Sequence, residues 1–202
     1  LAIPEKVMCE WRSPFPGSAF GRLLNESANW IWKIGPQVKK AAIAVGSNQG
    51  DSVRICREVF EVLQKHPAIN ILRTSSLYRT SPVGPVEQDR FINAAVLLQT
   101  GLEPQALLAF MIEVEKSFGR VRTVKWGPRT LDLDLVFYEN IQLDSPVLKV
   151  PHPMMSKRLF VLMPLAEIEP DWVHPGLGLS VHQMLNRILE LDDQQEIQKL
   201  EM

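Results

Sequence analysis

Residues 131–138 read Leu-Asp-Leu-Asp-Leu-Val-Phe-Tyr. Their period of two fits an extended strand and no helix. It predicts Leu131, Leu133, Leu135 and Phe137 on one face, with Asp132, Asp134, Val136 and Tyr138 on the other. The two carboxylates then point the same way, about 6.5–7 Å apart. Uncompensated, they repel by roughly 2–3 kcal/mol at an effective dielectric of about 20. Such a pair is either the wet face of an ordinary strand or the seat of a cation. Taken alone, an Asp-x-Asp match favours the wet face, because the pattern is common. Ahead of it stand Trp126-Gly127-Pro128-Arg129, an aromatic, a tight turn and a fixed cation. Carboxylates able to hold a hard divalent ion, with a guanidinium beside them, suit polyphosphate chemistry.

The length, 202 residues, fits one domain with a possible tail. The apolar fraction of 46% is enough for a buried core, and the net charge of −1 argues against a nucleic-acid surface. No apolar run is long enough to cross a bilayer. Cys9 and Cys56 match no metal spacing and read as free thiols in a reducing, cytoplasmic setting. Residues 1–39 differ from the rest, broken by Pro4, Pro14, Pro16 and Pro36 and studded with Trp11, Trp30 and Trp32. They show neither a signal-peptide nor a transit-peptide pattern and read as an extension of unassigned role.

A domain is expected over 40–191. A first strand at 40–45 leads into Gly46-Ser47-Asn48-Gln49-Gly50-Asp51, a turn with Asp51 or Ser52 as helix cap. The loop lacks the Walker lysine, so a tight turn explains it better than a phosphate cradle. Val53, Cys56, Val59, Phe60 and Leu63 then follow helical spacing. A second strand is expected at 69–78, a proline-broken loop at 79–85 and a third strand at 91–99. Pro104 opens a helix with the stripe Leu107, Met111, Val114 and Phe118. Strand, helix, strand, strand, helix, strand is the order of an α+β ferredoxin-like sandwich, an antiparallel sheet with helices packed on one face. A closing helix is expected near 181–191, and residues 192–202 read as a polar tail that frays.

Three runs together resemble the 6-hydroxymethyl-7,8-dihydropterin pyrophosphokinase family of folate biosynthesis. They are residues 125–138, the GSNQGD loop, and Tyr78-Arg79-Thr80-Ser81-Pro82-Val83-Gly84-Pro85 with Phe91 and Asn93. Val150-Pro151-His152-Pro153, followed by Arg158 and Phe160, extends the match over about residues 40–190. The chain departs from the pattern in a shorter connection from Arg122 to Trp126 and in Pro153.

The resemblance implies ATP as co-substrate and 6-hydroxymethyl-7,8-dihydropterin as acceptor, with AMP and the pterin diphosphate as products. It implies two Mg²⁺ on Asp132 and Asp134, with Arg120 and Arg129 neutralising charge at the transferred group. Thr80, Pro82, Val83, Phe91, Asn93, Trp126 and Phe160 are implied for the pterin. Glu115, Arg122, Arg129, His152 and Arg158, with Lys149 as a weaker candidate, are implied for the nucleotide. Other folate-pathway enzymes or domains are implied partners. Read singly, a phenylalanine is more often core, a lone histidine more often structural, and a loop arginine more often solvated. Asn93 is harder to dismiss, because an amide in mid-strand needs partners. Two other readings remain: a metal-dependent nucleotidyltransferase, which would release pyrophosphate, and a non-catalytic ligand sensor of the same fold.

Overall fold

The alternation at 131–138 can bury one face only if a second apolar strand lies beside it, and β1 (Lys39–Ser47) supplies it. The structure is a computed structural model that describes residues 38–82, 86–120, 127–191 and 196–201. The expectations for Val83, Arg122 and Trp126, and for nearly all of the N-terminal extension, fall outside those residues.

The side chains Ala41, Ala42, Ile43 and Val45 leave β1 buried on both faces. β4 (Phe91–Thr100) pairs antiparallel with β1 from Lys39↔Thr100 to Ser47↔Ile92. On its far edge β4 carries β2 (Ile69–Thr74) and β3 (Tyr78–Thr80). The expected single strand at 69–78 is therefore split. Between its halves, the Ser75 hydroxyl accepts from the Ala95 N–H at 2.9 Å, and the Ser75 N–H donates to the Ala95 carbonyl at 2.9 Å. β5 (Asp132–Tyr138) flanks β1. A two-stranded ribbon, β6 (Leu143–Asp144) with β7 (Lys149–Val150), follows.

The tail expected to fray behaves otherwise. β8 (Ile197–Lys199) pairs antiparallel with β3, giving the sheet order β5-β1-β4-β3-β8 with β2 also on β4. No local signal marks so short a strand; its stability comes from the edge it covers.

Helices cover both faces of the sheet, rather than the one face expected. α1 (Ser52–Gln64) is capped by Asp51, which accepts from the Arg54 N–H at 3.1 Å. It packs with α2 (Pro104–Ser117) in a cluster containing Ile43, Val45, Leu107, Met111, Leu133 and Leu135. α3 (Leu159–Ile168) and α4 (Val181–Glu190), the latter held by a Ser180/Gln183 capping box, cover the other face over Ala42, Ala95 and Leu97. The residues on both faces of β1 and β4 are apolar, and one layer of helices would leave half of them wet.

The period along β5 also breaks. Ala42 pairs with Phe137 but Ile43 pairs with Leu135, so Val136 is the extra residue of a β-bulge. Val136 and Phe137 both face α3 and α4, and Tyr138 returns to the first cluster, where its hydroxyl donates to the Leu102 carbonyl at 2.8 Å. The expected facing of Leu131, Leu133 and Leu135 stands, whereas Phe137 and Tyr138 are exchanged.

Phe137 is fully buried and stacks on Trp172 at 5.0 Å. Phe137→Ala should therefore cost about 3–5 kcal/mol, read as a lower urea midpoint, whereas Val147→Ala at an exposed site should stay within about 0.5 kcal/mol. Glu167 of α3 binds the sheet edge through Ser76 N–H at 3.0 Å, Ser76 hydroxyl at 2.7 Å, Tyr78 hydroxyl at 2.8 Å and Lys199 Nζ at 3.0 Å. Burial alone would raise its pKa, but these donors hold it at about 2 against an ordinary 4.5. A depressed folded-state pKa stabilises above the unfolded value, and the contribution fades as pH falls through the folded one. The stability advantage of the native chain over Glu167→Gln should be full above pH 4.5 and shrink towards pH 2. Denaturation midpoints measured across that range check it.

Candidate active site

The ends of β1, β4 and β5 meet at Gly46, which pairs with Asn93 on one side and Asp132 on the other. A Cβ there would stand 3.1 Å from Asn93 Oδ1, so the missing side chain keeps the floor of a cleft open. The cleft is open to solvent. Phe91 and Phe160 supply the apolar part of its lining, and Arg129, Asp132, Asp134 and Arg158 the polar part.

At the apolar end, Asn93 Nδ2 donates to Thr80 Oγ1 at 2.7 Å, and both residues are buried. This satisfies part of each group and leaves the Thr80 hydroxyl proton, the Asn93 carbonyl oxygen and one amide proton for a ligand. Ser81 and Gln88 also line the cleft, whereas Pro82 stands outside its lining.

At the polar end the charges are paired among themselves. Arg129, three residues before Asp132, binds one of its carboxylate oxygens, and Arg120 Nη2 binds the other at 2.7 Å. Arg120 reaches there because Gly119, at φ +78°, ends α2 in a left-handed turn. Its N–H meets the Lys116 carbonyl at 2.9 Å and the Arg120 N–H meets the Glu115 carbonyl at 3.1 Å, the two bonds of a Schellman motif. Glu115, expected at the nucleotide, does not line the cleft. It is 4% exposed, with Oε1 accepting from the Leu133 N–H at 2.8 Å and bound by Arg120. Burial raises its pKa, against the Leu133 N–H and the Arg120 charge. Glu115 therefore acts as a buried anchor joining α2, Arg120 and β5.

Asp134 has its own partners, the Arg158 guanidinium with Nη1 at 3.7 Å and the His152 ring with Nε2 at 3.9 Å. Burial and then the Asp132 charge raise its pKa, against His152, Arg158 and Arg129. His152 is placed by the bulge, its N–H donating to the Val136 carbonyl at 3.0 Å. Its Nδ1 accepts from the Met154 N–H at 3.2 Å, so a neutral ring carries its proton on Nε2, towards Asp134. Burial lowers the imidazole pKa despite that carboxylate. Arg158 also lies 5.6 Å from the Phe160 ring centre, joining the two ends of the cleft. Lys149, a weak candidate in the sequence, pairs instead with Asp144 at 2.6 Å on the ribbon and does not line the cleft.

Sequence reasoning passed over Gly46, Asn48, Ser81 and Gln88. Asn48 binds the Arg129 backbone both ways, its N–H to the carbonyl at 3.0 Å and its Oδ1 from the N–H at 2.7 Å. Its Nδ2 donates to Gln88 Oε1 at 3.0 Å and to the Asp89 carbonyl at 3.1 Å. The signal was the Gly46-Ser47-Asn48 turn itself, which explains a helix cap without needing an asparagine. Among the described residues, no three metal-binding side chains of the His, Cys, Asp or Glu type gather at one point. Asp132 and Asp134 therefore offer two hard oxygen donors, which fits Mg²⁺ completed by phosphate oxygens and water rather than a closed protein cage.

The family model described as 7,8-dihydro-6-hydroxymethylpterin-pyrophosphokinase (HPPK) matches residues 42–170. A Synechocystis protein named 2-amino-4-hydroxy-6-hydroxymethyldihydropteridine pyrophosphokinase is 42% identical over 152 residues, 75% of this chain and 77% of its own length. A Bacillus subtilis protein of the same name is 45% identical over 128 residues, 63% of this chain and 77% of its own. Among solved structures, Plasmodium falciparum HPPK-DHPS superposes with a TM-score of 0.63 at 14% identity, over 78% of this chain and 44% of that one. This chain thus spans less than half of that protein, and the likeness there is one of fold. On the family match and the two close relatives, the chain belongs to the 7,8-dihydro-6-hydroxymethylpterin-pyrophosphokinase family.

Proposed function

We propose that this cleft takes ATP at its polar end and 6-hydroxymethyl-7,8-dihydropterin at its apolar end. The chain transfers the pyrophosphoryl group of ATP to the hydroxymethyl oxygen of the pterin, a step of folate biosynthesis, and AMP leaves. One observation carries the division of the site: Asp132, Asp134, Arg129 and Arg158 share a single cleft with Thr80, Asn93, Phe91 and Phe160.

A pterin is flat, with a polar edge. Phe91 and Phe160 supply ring faces, and the free donors and acceptors of Thr80 and Asn93 match the edge. Arg158 stands where the two substrates meet, touching both Phe160 and Asp134. Arg129 and Arg120 now neutralise Asp132. A bound triphosphate competes for those guanidiniums, which then face the charge of the transferred group. Two Mg²⁺ would be held by Asp132 and Asp134 and, when bound, would polarise phosphate oxygens and acidify the attacking hydroxyl. The neutral His152 ring, with its Nε2 proton towards Asp134, orients that carboxylate without adding a charge. No side chain is assigned as an obligatory general base.

Incubation with ATP, Mg²⁺ and the reduced pterin should yield AMP. Release of pyrophosphate would point instead to the nucleotidyltransferase reading, and binding without turnover to the sensor. Chelation of the metal should stop the reaction, and added Mg²⁺ should restore it. Asp132→Asn should lower kcat by roughly a thousandfold or more while pterin affinity stays within about threefold, because the proposed pterin partners are Thr80, Phe91, Asn93 and Phe160 rather than this carboxylate. Steady-state rates and pterin titration together check both halves.

A further inference from the structure

β3 is three residues long, yet it delivers Thr80 and Ser81 to the acceptor end of the cleft. A strand that short makes few ladder bonds on any one edge, and here both edges are engaged. β4 takes one edge. The other is closed by the C-terminal strand, with Tyr78↔Lys199, Arg79↔Gln198 and Thr80↔Ile197 in register and the Leu200 N–H donating to the Leu77 carbonyl at 2.8 Å. At the cleft end of this zipper stands Glu196. Its backbone carbonyl accepts from the Ser81 N–H at 3.2 Å. Its carboxylate Oε2 accepts from the Ser81 hydroxyl at 3.2 Å and from Arg90 Nη2 at 2.7 Å. Ser81 follows β3 and Arg90 precedes β4, so one carboxylate binds both ends of the connection between the two strands. Phe91 comes directly after Arg90, and Thr80 directly before Ser81. From the inner side, Asn48 binds Gln88 and Asp89 of the same connection.

We infer that Glu196 is a positioning residue for the acceptor: from outside the cleft, it sets the spacing between Thr80–Ser81 and Phe91, against which the pterin rests. The residues matched by the family model end at 170, so that match does not account for it. Its influence is one-sided. β8 and β5 are opposite edges of the sheet, and Glu196 has no contact with Arg129, Asp132 or Asp134. The Glu196–Arg90 pair is exposed, at 65% and 54%, so it adds little to global stability. Its effect falls on geometry within a few ångströms of the acceptor. The inference rests on the assignment of Thr80, Phe91 and Asn93 to the pterin.

Steady-state kinetics of the full chain with each substrate varied separately provides the test. Glu196→Ala should raise KM for the pterin roughly three- to tenfold, with KM for ATP, kcat and Tm close to the parent values. Glu196→Gln, which keeps an accepting oxygen for Ser81 and Arg90, should recover most of that loss. Arg90→Ala should reproduce the Glu196→Ala phenotype, and the double variant should add nothing further. An unchanged pterin KM in Glu196→Ala overturns the inference. So does a rise in both KM values together with a lower Tm, which marks a general structural role. Asn93→Ala is the control: if it too leaves the pterin KM unchanged, the acceptor assignment itself has failed, and the inference falls with it.

Discussion

Two carboxylates two positions apart on a strand repel each other, and the site is what gathers to offset that repulsion. Asp132 takes Arg129 from its own approach and Arg120 from the end of α2. Asp134 takes His152 and Arg158, which lie beyond the β6–β7 ribbon. Two groups of partners, most of them from other parts of the chain, thus converge on one short strand. Within the structure these charges satisfy one another. The raised pKa of Asp134 records the same tension, since burial and the neighbouring charge both disfavour its ionised form.

Backbone irregularities aim these groups. The bulge at Val136 interrupts β5, turns Phe137 towards α3 and α4, and gives His152 the carbonyl it needs. Gly119 ends α2 so that Arg120 folds back over Glu115 and reaches Asp132. Gly46, opposite both Asn93 and Asp132, leaves the cleft open where any side chain would press on the amide. At each of these places a local rule of strand or helix is broken, as is common where structure serves a site.

The two ends of the cleft are supported differently. The charged part of its lining rests on β5 and on the buried carboxylate of Glu115, so its support is internal and charged. The part lined by Thr80, Phe91 and Asn93 rests on a three-residue strand and a connection that Asn48 binds from within and Glu196 from without. Arg158, touching Phe160 and Asp134, links the two. The sheet order keeps the supports apart, because β5 and β8 are its opposite edges.

Local pattern was enough for a good deal of this. The alternation through Leu135 placed Asp132 and Asp134 on one face, Pro104 and Asp51 marked helix starts, and the strand–helix order gave the fold class. Thr80, Phe91, Arg129, Arg158 and Phe160 became candidate site residues only as parts of longer runs, since each alone reads as core or surface, while Asn93 stood out as an amide in mid-strand; the structure brings all six to one cleft. Pairing between distant segments decided the rest. The bulge exists only against β1, so the facing of Phe137 and Tyr138 could not be read from β5. Glu115 looks like a helix-surface acid until α2 lies against β5. α3 and α4 reveal their face only when the sheet has a second side to cover. Ile197–Lys199 has too little apolar character to announce a strand and becomes one because β3 offers an open edge. The chain by itself determined periodicity, caps and the types of side chain available for chemistry, because these act within a few residues. Which charge meets which, and which face is buried, was left to the tertiary structure, because those energies arise only between segments brought together by folding.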